Sequence, residues 1–126
     1  MRTRTLYLSL TGIIRMNYDR FGKDLTTGTY DLVVLDILHE KPGYAYGIIR
    51  EVFEQSKHTI RWHEGTVYHT LHHLERQGLV ASTWHGPKIG RRRKYYRLTA
   101  RGRRAWRTQR EQWRQFSRAL NALLGL

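Results

Sequence analysis

Apolar positions along the chain change period twice, and those changes mark out its elements. After Gly28 and Thr29, either of which can cap a helix, Leu32, Val33, Leu35, Ile37 and Leu38 recur at helical spacing. Lys41-Pro42-Gly43 breaks that run. Residues 45–55 predict a second helix, with Ile48, Ile49, Val52 and Phe53 on its apolar side. Residues 56–62 form a connector with room for one short extended piece. A third helix fits residues 64–77, where Val67, Leu71 and Leu74 make one buried stripe. Gly78 suits its left-handed C-terminal cap.

The period then shortens. Residues 79–84 have the β-branched and aromatic content of a strand, residues 86–90 are a turn set, and residues 93–98 resume as a second strand. Across that strand Tyr95, Arg97 and Leu98 are expected to alternate with Lys94 and Tyr96. Thr99 caps a long last helix reaching about Leu124. On it Trp106, Trp113, Phe116, Leu120 and Leu123 recur at seven, three, four and three. This aromatic seam exceeds what a small domain can cover, so the five are candidate dimerisation residues.

Three helices followed by a β-hairpin is the winged helix order. The expected fold is mainly α with a β-hairpin. An N-terminal extension covers residues 1–21, a winged helix-turn-helix domain 22–98, and a C-terminal dimerisation helix 99–126. In the extension, Arg2 and Arg4 precede an apolar stretch from Leu6 to Ile14 that faintly imitates a signal peptide. No small-residue cleavage motif follows, and the stretch is too short to span a bilayer. Met16 stands as an alternative start.

Charge sharpens this picture. The 126 residues carry 23 Lys and Arg against 10 Asp and Glu, a net of +13. Between Arg91 and Arg114 eleven basic residues face the single acid Glu111, a local +10 that leaves +3 for the remainder. Such a concentration favours a polyanion through counterion release, bound by a sequence-specific regulator or, as the alternative, by a non-specific architectural DNA- or RNA-binding basic protein. Charge alone also admits a solvated face or an anionic membrane surface. With no cysteine there is no disulfide, thiolate metal site or thiol nucleophile, which suits a reducing cytoplasm, the expected location.

The third helix is the candidate reader of base edges, because a helix fits the major groove. His63, Glu64, Thr66, His69 and His72 lie off its core stripe. Tyr68 can offer its hydroxyl to a phosphate; it can equally be a core tyrosine, and Thr66 a helix cap. In the hairpin, Lys88, Arg91, Arg92, Arg93 and Lys94 sit at or just after the turn, where long cations reach backbone phosphates. His69 and His73 are four apart and share a helix face, a spacing that suits Zn²⁺ or Ni²⁺. No thiolate is available and Glu75 lies off that face, so no metal and no cofactor is expected. Nor is an enzyme: the sequence holds no phosphate loop and no nucleophile placed beside a base.

These motifs together resemble the PadR family of bacterial regulators. Residues 22–25 and 28–32 are similar to the family's opening GKDLLxGTLDLLVL, and 65–68 with 71–79 to GTLYPALHRLEEEGLI. Residues 93–99 with Gly102 match RKYYRLTxxG. The resemblance covers residue 22 to the C-terminus. It implies a short-tailed member that binds a palindromic operator in double-stranded DNA as a homodimer, represses, and releases when a small effector binds. Where the family commonly has His-Gly-Tyr before the second helix, this chain has Tyr44-Ala45-Tyr46, and His69 replaces a favoured proline. Tyr44 and Tyr46 complete the candidate DNA-contact set.

In multidrug-sensing members a tryptophan on the last helix helps form a flat slot at the dimer centre, and Trp113 falls at the matching offset. The resemblance thus makes Trp113, with Trp106 and Phe116, the candidate effector site for a planar lipophilic molecule. The alternative is that the three only seal the dimer.

Overall fold

The computed structural model describes residues 21–126. Apart from Phe21, the expected N-terminal extension lies outside the described residues. A helical turn Lys23–Thr26 and a 3-10 turn Thr27–Thr29 lead into helix α1, Tyr30–Glu40. Thr29 occupies the N-cap position, yet its hydroxyl donates back to the Thr26 carbonyl at 2.7 Å rather than capping α1. The backbone is already helical there, so no sharp start needs a cap.

Strand β1, Gly43–Tyr44, and helix α2, Ala45–Gln55, follow. The connector turns through Lys57 and His58, both at positive φ, and makes a single β-bridge at Ile60. Helix α3, Glu64–Arg76, closes as expected. Gly78 has φ 75°, and the N–H of Leu79 bonds the Leu74 carbonyl at 2.9 Å, a left-handed cap.

Strands β2, Val80–His85, and β3, Arg93–Leu98, form the hairpin, and β1 adds to the outer edge of β3. The sheet is therefore three-stranded, in the order β1-β3-β2, rather than a bare hairpin. Register pairs Val80 with Leu98, Ser82 with Tyr96 and Trp84 with Lys94. Leu98 thus shares the inward face with Tyr96, contrary to the expectation that grouped it with Tyr95 and Arg97. The two-residue period of a strand requires this placement.

Helix α4, Ala100–Leu124, starts where the hairpin returns to the body. The Thr99 hydroxyl accepts from the Gly102 N–H at 3.0 Å and donates to the Gly78 carbonyl at 2.7 Å. One side chain thus caps α4 and ties it to the end of α3. Gly102 is buried against Leu79, and a Cβ there would collide with the Leu79 carbonyl. Val34, Leu35 and Leu38 of α1, Ile48 and Val52 of α2, and Val67, Leu71 and Leu74 of α3 meet Val80, Tyr96 and Leu98 in one core.

Candidate nucleic-acid interface

Burial of Val67, Thr70, Leu71 and Leu74 fixes the roll of α3. Helical geometry then turns Tyr68, His69 and His72 to the surface, with His63, Glu64 and Gly65 exposed at the first turn. Tyr68 is 47% exposed and is no core residue. Thr66 is half-buried inside the helix, whose N-cap position belongs to His63.

The hairpin overhangs this helix. Near the body, its inner face buries Val80, Tyr96 and Leu98; two residues farther out, the same face carries Trp84 and Lys94. Trp84 is 58% exposed, and around its ring sit the Arg92 guanidinium at 5.6 Å and the Lys94 ammonium at 5.8 Å. The Arg93 guanidinium lies 4.5 Å from the Tyr44 ring, which also meets Tyr95 at 5.3 Å. Cations over aromatic faces are attracted and held in place. Gly86 and Gly90, at φ 125° and 110°, shape the loop from which Lys88 projects.

Between α3 and the hairpin runs a groove of about 530 Å³, lined by Tyr44, Tyr46, Tyr68, His72, Trp84, Arg91, Arg92, Arg93, Lys94 and Tyr96. The structure thus gathers most of the expected contact residues along one concavity. His63, Glu64, Thr66 and His69 stay on the open part of α3, and Lys88 at the tip. Sequence reasoning missed Trp84. Its signal was an aromatic at an alternate position of a strand whose inward face begins at Val80.

Behind the groove, the Ser82 hydroxyl donates to the Glu75 carboxylate at 2.6 Å, which fixes β2 on α3. Burial raises the Tyr96 phenol above the usual tyrosine value, and the Glu75 carboxylate and Tyr68 push it the same way. Tyr96 therefore stays neutral and structural.

His73 lies 3.6 Å from Asp31 of α1, a long-range partner that spacing could not show. Among the described residues no three or more His, Cys, Asp or Glu side chains converge as for a metal ion.

On α4 the seam divides. Trp106 turns into its own chain: its indole N–H donates to Asp36 at 2.7 Å, and its ring stacks on His39 at 3.7 Å. Trp106→Phe should cost about 2 kcal/mol, since a hydrogen bond to a carboxylate is lost; urea unfolding checks this. Trp113 and Phe116, 6.1 Å apart, border a shallow groove with Gly28, Thr29 and Leu32 and remain exposed. Leu120 is half-buried and Leu123 exposed. Among the described residues no helix is long and apolar enough to cross a membrane.

Comparison with known proteins agrees with this architecture. A PadR family transcriptional regulator from Eggerthella lenta is 35% identical, with TM-score 0.69 over 80% of this chain and 86% of its own. A PadR family transcription regulator from Clostridium difficile is 31% identical, with TM-score 0.68 over 76% and 98%. A transcriptional regulator from Clostridium thermocellum is 26% identical and superposes at TM-score 0.74 over 81% and 96%. Residues 34–108 match the Transcriptional regulator PadR-like family, so this chain belongs to that family of transcription regulators, which are not enzymes.

Proposed function

We propose that the chain is a cytoplasmic repressor that reads a palindromic operator as a homodimer. Helix α3 enters the major groove, and the β2–β3 wing clamps the flanking backbone. The single observation that carries this reading is the groove where Tyr68 and His72 of α3 face Arg91, Arg92, Arg93 and Lys94. Gly65 adds to it. A Cβ on Gly65 would meet nothing within 4 Å, so this exposed helical glycine serves no internal packing. Its clearance suits close approach of an external backbone.

Roles divide by chemistry. Glu64, in the first turn of α3, is unfavourable beside a phosphate but can accept from a cytosine amino group. His69 and His72 serve as further base-edge contacts, while Thr66, Tyr68 and His63 position the backbone. Tyr44 and Tyr46 flank the groove, and the Tyr44 ring holds the Arg93 guanidinium beside it. Arg92 and Arg93 supply phosphate contacts, so each Arg→Ala substitution should weaken binding to every sequence and shallow the log K–log salt slope by about one. Titration of a duplex at four salt concentrations measures this, and two unchanged slopes would remove the wing from the interface.

Dimerisation follows from the exposed end of α4, where Trp113, Phe116, Leu120 and Leu123 continue beyond the part packed on α1. Because Trp106 is engaged with Asp36 and His39, the effector site narrows to Trp113 and Phe116. A planar lipophilic molecule stacked there would release the operator by changing how the two α4 helices pair. Quenching of tryptophan fluorescence by planar dyes, lost in Trp113→Phe, tests the slot.

A further inference from the structure

The α3–wing groove does not use the most basic element of the chain. Helix α4 carries Arg103, Arg107, Arg110, Arg114 and Arg118, all exposed. Their steps of four, three, four and four keep them within one narrow sector of the helix. That sector lies away from Gly102, Ala105, Trp106 and Gln109, which face the body. It is also distinct from the Trp113–Phe116–Leu120 stripe, so pairing of two α4 helices need not cover it.

Little offsets this charge. Glu111 is the single acid on α4, and it pairs with the Arg114 Nε at 3.2 Å. Arg110 lies 5.8 Å from the Trp106 ring. Among the described residues, no acid of another element forms an ion pair with any of the five. Like charges three and four apart on a helix repel one another. No residue of α4 lines the groove between α3 and the wing, so these arginines stand apart from that concavity.

We infer that this stripe binds the phosphate backbone of a second DNA segment, distinct from the one gripped by α3 and the wing. From Arg103 to Arg118 the helix rises about 22 Å. One strand of a duplex presents roughly six phosphates over that length. Each guanidinium fork complements a phosphodiester in charge and in hydrogen-bond geometry. The stripe reads no bases, so its grip is independent of sequence. A regulator so equipped holds two stretches of DNA together.

The inference rests on the proposed DNA reading, and one experiment separates the two. Two 30-base-pair random-sequence duplexes carrying a donor and an acceptor dye are mixed with the wild type and with Arg103→Gln/Arg107→Gln/Arg114→Gln/Arg118→Gln. A second quadruple variant with lysine at the same positions keeps the charge. The wild type should bring the dyes together, the lysine variant should largely do so, and the glutamine variant should need at least tenfold more protein. The glutamine variant should still bind a single duplex and keep its helical circular dichroism. Bridging undiminished in the glutamine variant would overturn the inference, as would a wild type that binds one duplex without bridging two. Stripe-dependent capture of phosphatidylserine vesicles without bridging would overturn it in favour of a membrane surface. If the wild type binds no duplex at all, the α3–wing reading falls and the inference falls with it.

Discussion

Gly102→Ala is expected to lower stability by about 3 kcal/mol or more, the upper range for forcing atoms into a packed site. The added methyl would meet the Leu79 carbonyl, a backbone atom that no side-chain rotation can move. Either α4 shifts outward or the end of α3 gives way. Both break the arrangement in which Thr99 caps α4 at Gly102 and bonds the Gly78 carbonyl. For a domain of this size the melting temperature should fall by roughly 10–25 °C. Gly65→Ala is the matched control, because its new methyl meets nothing and a helical alanine is preferred by about 1 kcal/mol. Scanning calorimetry of both variants should move the two midpoints in opposite directions. A Gly102→Ala protein that melts with the wild type would show that α4 is not seated on Leu79 as described.

The second large effect concerns assembly. Trp113→Ala/Phe116→Ala should convert the proposed dimer to monomer at micromolar concentration. Aromatic anchors at interfaces contribute about 2 kcal/mol or more each, and two-fold symmetry counts each substitution twice. Even half of the resulting sum weakens pairing roughly a thousandfold. The fold should survive, since both side chains are exposed and border only a shallow groove against the 3-10 turn and α1. Sedimentation velocity reads the result directly, with circular dichroism as the folding check. A persisting dimer would move the interface off this part of α4. Trp106 should behave oppositely, affecting stability before assembly, because its indole is bonded to Asp36.

Much of this architecture is legible in the sequence, for local reasons. The three-and-four spacing of Val67, Leu71 and Leu74 gives both the helix and its roll, and hence which side chains of α3 face outward. Gly78 and Thr99 announce their caps because few other residues serve there. What was not legible depends on distant contacts. Strand β1 is two residues long, too short to show any period, and exists because β3 offers a free edge to Gly43 and Tyr44. The α4 seam reads as one stripe, yet Trp106 finds Asp36 within its own chain while Trp113 and Phe116 remain exposed. Nothing in their spacing distinguishes those fates. His73 and Asp31 are likewise joined only by the packing of α1 on α3. Within the site, the arginines of the wing were evident from composition, but Trp84 gains its place only when the register puts it opposite Lys94.

The central claim is that α3 reads bases while the wing grips the backbone, and selection of binding sites from random duplexes tests it most directly. The intact protein should enrich inverted repeats whose half-sites lie about one helical turn apart. His69→Ala/His72→Ala should change which bases are enriched, and Arg92→Ala should weaken binding without changing them. A selected pool with no sequence preference, or one whose preferred bases ignore the α3 substitutions, would contradict the account.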